Sequence, residues 1–122
     1  MAKTTKKRLN IKAFNLLKSI ALKKAKYKCE VCNDPASTAH HYFPQGSYGY
    51  LKYEVGNAIS ICVSCHFKHH TKADPLIHEA IYKKRKKDIE KLKKIKRPTG
   101  TYLTEKWIKE NIEKLEALDK KT

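Results

Sequence analysis

Long apolar runs are missing from this 122-residue chain, and the longest near its N-terminus is Ile20-Ala21-Leu22. A bilayer-spanning helix needs roughly 20 predominantly apolar residues, so no membrane span is expected. The first residues also lack the apolar core of a secretory signal. The four cysteines are therefore expected as reduced thiols in a cytoplasmic protein rather than as two disulfides. No internal repeat, second domain or low-complexity linker breaks the pattern, so one small domain is expected, of a size that gains from a staple. Arginine is scarce, with only Arg8, Arg85 and Arg97. Acidic residues are absent from residues 1–28 altogether.

What is present is cationic charge, and its placement says more than its total of +16. Residues 1–28 hold ten Lys or Arg and no acid, residues 29–82 carry −2, residues 83–97 carry +8, and residues 98–122 balance. Two unbalanced basic blocks repel each other unless a polyanion sits between or across them. A basic block usually means only a solvated face, and a membrane surface is a second candidate partner. Neither block shows the aromatic apolar face of a membrane-surface helix, which favours nucleic acid, with DNA gripped through residues 1–28 and 83–97. Lysine in place of arginine points to backbone attraction and shape-based rather than base-specific contact.

Taken in order, Met1 to Arg8 reads as a mobile basic tail and Leu9 to Tyr27 as an amphipathic helix, with Phe14, Leu17 and Ala21 on its packing face. Ala39 to Tyr53 suits two short extended segments around a loop, whose aromatic residues are expected mostly to pack rather than to stack on bases. Ile59 and Ile61 alternate in a strand running into Cys62, and a helix should begin near Cys65. Asp74 as N-cap and Pro75 in the first turn open a helix that could run to about Lys96, carrying the Lys83–Lys87 cation cluster. A last helix from about Thr104 places Ile108, Ile112, Leu115 and Leu118 on one stripe. It should pack on the core or on a second subunit, with Glu105–Lys109 and Glu110–Lys114 pairs on its wet face. The expected class is α+β, mostly helical, in one domain of four parts: 1–28, 29–73, 74–97 and 98–122.

The reactive groups concentrate between Cys29 and His70, which holds all four cysteines and five of the six histidines. Cys29/Cys32 and Cys62/Cys65 are two Cys-Xaa-Xaa-Cys pairs, the tetrahedral thiolate set that zinc favours in closed structural sites. Between the pairs lie 29 residues, more than a simple zinc ribbon uses, and they contain His40, His41 and Asn57. On the helix after Cys62, Cys65 and His69 share one face, while His66 and His70 lie about 100° further round. His66 and His70 with His40 would make a three-ligand site with positions left for water and a phosphate oxygen.

The order His40-His41, Asn57, His66 and His70, inside the two zinc knuckles, resembles the HNH endonucleases. The likeness spans roughly Lys26 to Lys72, and Asn57 lies nine residues before His66 and thirteen before His70. The resemblance implies a small beta-beta-alpha metal finger with zinc knuckles, flanked here by basic helices. It also implies His41 as general base, His40, His66 and His70 as ligands of one catalytic divalent ion (Mg²⁺, Mn²⁺, Ni²⁺ or Zn²⁺), and Asn57 as the residue that steadies the hairpin and the base. Hydrolysis would leave 5′-phosphate and 3′-hydroxyl ends on double-stranded or branched DNA. Many members of the family have Asp where this chain has His40. A weaker likeness is to phage recombination nucleases of the Rap type. Two other readings stand beside it: a zinc-stapled DNA-binding module without catalysis, and a c-type haem protein through Cys62-Val63-Ser64-Cys65-His66. Outside the site, His69 is expected as a neighbour rather than a ligand, and His78 on a wet helix face.

Overall fold

The computed structural model describes residues 2–72 and 75–122, and within them the side chains of residues 5–68 and 75–122. Asp74, the expected N-cap, lies outside the described residues. The side chains of His69 and His70 lie outside the described ones.

Helix α1 spans Ala2–Lys24. The expected tail over Met1–Arg8 is thus helical from Ala2: the stretch contains no glycine or proline, and Ala, Lys and Arg are good helix formers. The helix stops three residues before Tyr27. The Tyr27 amide donates to the Leu22 carbonyl at 2.8 Å and the Lys26 amide to the Lys23 carbonyl at 3.0 Å, the paired bonds that close a helix on a left-handed residue. Lys26 and Tyr27 supply that conformation, at φ 55° and 60°.

Strands β1 (Thr38–His41) and β2 (Ala58–Ile61) form a two-stranded antiparallel sheet, with His40 opposite Ile59 and His41 opposite Ala58. Successive side chains in a strand point to opposite faces. One face meets α1: Ala58 is buried with Ala13, Leu17 and Ala21, and Ala39 packs against them. Toward the other face Ile59 and Ile61 are fully buried among Cys29, Cys62, Cys65, Ile77 and Ile81. The sheet therefore separates an α1 side from a cysteine side. Helix α2 (Val63–Lys72) follows β2 directly, and α3 (Pro75–Lys84) packs against α2.

The single helix expected from Asp74 to about Lys96 is instead two, α3 and α4 (Lys86–Lys93), broken at Arg85. Arg85 turns inward. Its Nη1 donates to both carboxylate oxygens of Glu30 at 2.9 and 3.0 Å, its Nη2 to the Gly56 carbonyl at 3.2 Å, and its Nε to Asp88 at 2.9 Å. The middle of the expected cation cluster is thus a structural tie, with side-chain exposures of only 16% for Arg85 and 7% for Glu30. Because α4 ends at Lys93, Ile95 falls past its last turn and remains 37% exposed.

Helix α5 (Glu105–Lys121) opens on Thr104, whose Oγ1 accepts from the Trp107 amide at 3.2 Å. Its Ile108, Ile112 and Leu115 bury against α1, while Leu118, expected on the same stripe, stays 40% exposed. The expected Glu105–Lys109 and Glu110–Lys114 pairs are not among the ion pairs formed. Carboxylates of α5 reach across to α1 instead, Asp119 to Lys23 at 2.8 Å and Glu116 to Lys12 at 3.8 Å. The aromatic loop after β1 largely packs on itself and the core: Tyr53 is 3% exposed and lies against Phe14 and Trp107.

Removing one partner of a buried ion pair leaves the other charge uncompensated, at a cost of about 3–5 kcal/mol. Arg85→Ala is expected to lower stability in denaturant unfolding by an amount at the low end of that range, and Glu30→Gln combined with Arg85→Met to recover part of the loss. Equal stability of Arg85→Ala and wild type would show that the pair is not the tie described.

Candidate metal centre and histidine cavity

Two short elements carry the cysteines. The first knuckle closes on a one-bridge turn between Lys28 and Pro35: the Cys29 amide donates to the Asp34 carbonyl at 2.6 Å, the Asn33 amide to the Cys29 carbonyl at 2.9 Å, and Asn33 takes φ 69°. Asparagine tolerates that left-handed backbone better than most residues. This turn is joined to β2 by the Glu30 amide on the Ser60 carbonyl at 2.9 Å, the Ser60 amide on Glu30 Oε2 at 2.8 Å and the Ser60 hydroxyl on the Lys28 carbonyl at 2.8 Å. The second pair needs no such turn. Cys62 follows the last residue of β2 and Cys65 sits in the first turn of α2, so the start of the helix brings its thiol back over Cys62.

All four sulphur atoms lie within 4.8 Å of one another. Cys32 and Cys62 are 3.6 Å apart. A tetrahedron with metal–sulphur bonds of ~2.3 Å has sulphur–sulphur edges of ~3.8 Å, so the spacing fits one ion such as zinc. Amides of Val31 and Cys65 point at the sulphurs of Cys29 and Cys62, each at 3.4 Å. Burial pushes the Cys29 thiol up, but backbone amides of Cys32, Cys62 and Val31 outweigh it and bring the group down to about 7. Burial pushes the Cys65 thiol far above the ordinary range, and its thiol neighbours add to the rise. One thiolate is thus easily formed in this cluster, and four are not unless a cation neutralises them.

The histidines divide by face. His40 is buried, and its ring centroid is 5.5 Å from that of His66, on α2. His41 points toward α1, its ring 5.4 Å from Phe14. Its Nε2 lies 2.9 Å from the Lys52 carbonyl oxygen. A carbonyl only accepts, so Nε2 carries the proton and Nδ1 holds the lone pair of the neutral ring. Burial lowers the proton affinity of His41, and the nearby Lys52 ammonium lowers it further, against the opposing effect of the carbonyl. His40 and His41, with His66 and Gln45, line one cavity of about 550 Å³ beside β1. A second cavity of about 260 Å³ continues past His40 and His41 to Asn15 and Lys18 of α1.

Asn57 is fully buried behind this cavity rather than in it. Its Oδ1 accepts from the Phe43 amide at 2.7 Å, and its Nδ2 donates to the Phe43 and Leu51 carbonyls at 3.1 and 3.2 Å. Asn57 therefore holds both ends of the 43–51 loop, one residue short of the carbonyl that orients His41. Of the predicted site residues, then, the four cysteines meet at one point, His40 meets His66, and His41 lines the same cavity, while the His70 side chain lies outside the described ones. His78, expected on a wet face, is exposed but stacks on Tyr42 with centroids 4.7 Å apart. The Lys52 carbonyl and the Glu30–Arg85 tie were missed. The carbonyl carries no side-chain signal, whereas an acid between the two thiols of a knuckle was a hint.

No protein-family model, curated protein or solved structure matches this chain. The functional reading therefore stands on the residues and their geometry.

Two measurements check the site. Cys29→Ser is expected to reduce bound metal in elemental analysis below one ion per chain and to destabilise the fold; a mutant that keeps full stability without metal would exclude a four-thiolate staple. For His41, the folded state holds a proton less tightly than the unfolded chain. Its contribution to stability is thus present above the ordinary histidine value of 6.5 and lost as pH falls through the lower folded value. His41→Asn should accordingly lose less stability than wild type between pH 7 and pH 5.

Proposed function

We propose that this chain is a metal-dependent DNA endonuclease of the HNH type, built on a beta-beta-alpha metal finger formed by β1, β2 and α2 and stapled by zinc at Cys29, Cys32, Cys62 and Cys65. The observation that carries the reading is the arrangement around His41. His41, its Nε2–H committed to the Lys52 carbonyl, lines the same cavity as His40 and His66, whose rings lie together. A base for hydrolysis needs a free lone pair, a fixed orientation and a place for the reacting group, and these three are supplied together.

His40 and His66, with His70, would hold one divalent ion, which when bound offsets charge on the phosphate and on the departing 3′ oxygen. His41 takes the proton of a water aimed at the scissile phosphorus. The new P–O bond forms as the bond to the 3′ oxygen breaks, and that oxygen takes a proton from solvent water, leaving 5′-phosphate and 3′-hydroxyl ends. Asn57 acts as a positioning residue, fixing the loop whose next carbonyl sets the tautomer of His41. The basic blocks supply attraction for DNA, either duplex or branched. Lys23 and Arg85 contribute least, since they are held in the less exposed pairs with Asp119 and Glu30.

The test is nicking of supercoiled plasmid with Mg²⁺, Mn²⁺, Ni²⁺ or Zn²⁺ supplied in turn. Wild type is expected to nick with at least one of them. His41→Ala should lose about 100-fold or more, the usual share of a general base, while keeping zinc and DNA affinity. A wild-type protein that binds DNA and stays inert with every ion would instead be a zinc-stapled DNA-binding module.

A further inference from the structure

A second concavity lies away from the histidines, where the end of α1 meets the α3–α4 junction. It encloses about 360 Å³ and shares no lining residue with the 550 Å³ histidine cavity. Lys24 and Lys26 come to its wall from the first basic block and Lys84 from the second. Two blocks far apart in sequence thus converge on one hollow. Arg85 also lines it, but its guanidinium is consumed by Glu30 and Asp88, the two carboxylates present. Among the described residues, Lys24, Lys26 and Lys84 form no ion pair, unlike Lys23 and Lys83 beside them. Four cations against two carboxylates leave the hollow positive, and a concave wall focuses that field.

The backbone gives an independent sign. Lys26 occupies the position after a helix where glycine is usual, because the left-handed conformation costs a residue with a side chain roughly 1–2 kcal/mol. Here a lysine holds φ 55° at the wall of the cavity. A glycine would close the helix more cheaply but would remove that ammonium group.

We propose that this hollow seats a backbone phosphate of bound DNA at a distance from the scissile bond, with Lys24, Lys26 and Lys84 as its contacts. The proposal rests on the DNA-binding reading above and adds to it the place where the two basic blocks act together. Contact there positions the duplex and carries no sequence information.

The experiment compares full-length wild type with a triple variant, Lys24→Gln, Lys26→Gln and Lys84→Gln, and with a control triple on α5, Lys106→Gln, Lys109→Gln and Lys120→Gln. Both triples remove the same charge, and both are checked for a wild-type circular dichroism spectrum. Binding of a short DNA duplex is measured across a range of salt. Each phosphate neutralised contributes about 0.9 to the slope of log affinity against log salt. The cavity triple is expected to flatten the slope by at least about that amount and to weaken binding at least tenfold at about 0.15 M salt, while the control changes both far less. Single-turnover nicking at saturating DNA should be retained. An unchanged slope, or an equal loss in the control, overturns the hollow as a phosphate seat. Loss of nicking at saturation overturns its separation from the histidine cavity. A wild-type protein without measurable DNA binding overturns the DNA reading itself.

Discussion

Four sulphurs gathered within 4.8 Å are the constraint on which the remaining geometry depends. The cluster joins a turn with almost no apolar mass of its own to the start of α2, and through Glu30 and Ser60 it fixes that turn against β2. Packing explains part of this, since three of the four thiols are buried. Electrostatics explains the rest: burial and its thiol neighbours hold the Cys65 thiol neutral without a cation, so an ion bound by all four sulphurs would couple its binding to folding. A two-stranded sheet is marginal alone in water. This one persists because α1 covers one face and the cysteine cluster with α3 covers the other.

Parts of this arrangement were legible in the sequence because they are local. The knuckles need only a three-residue spacing, the α5 cap needs only Thr104 before an apolar stripe, and the strand into Cys62 needs only alternation at Ile59 and Ile61. The α+β class follows from those pieces. What escaped depends on partners distant in the chain. Arg85 looks like one more cation in a solvated run, and only the fold brings it to Glu30, 55 residues away. The early start of α1 was misread because a lysine-rich stretch can be a tail or a helix, and the decision came from the absence of any breaker. The His41 partner was invisible in principle, being a main-chain oxygen on Lys52.

The site itself was legible as a set of residue types and not as an arrangement. His40 and His41 are neighbours in sequence, yet the pleat sends one toward His66 and the other toward Phe14. The strand therefore presents one imidazole on the cysteine side and the other on the α1 side. Asn57 holds the loop from beneath through its bonds to Phe43 and Leu51, which accounts for its complete burial.

Strand β1 has four residues, too few for its own side chains to enforce a pairing. A slip of one residue against β2 would send His41 to the cysteine side and His40 to the α1 side. Register is thus the address system of this protein. The residue that enforces it lies just before β2: Asn57 accepts from the Tyr42 amide at 3.0 Å through its carbonyl and holds the Phe43 backbone with its side chain, so a substitution there would displace both histidines without touching either.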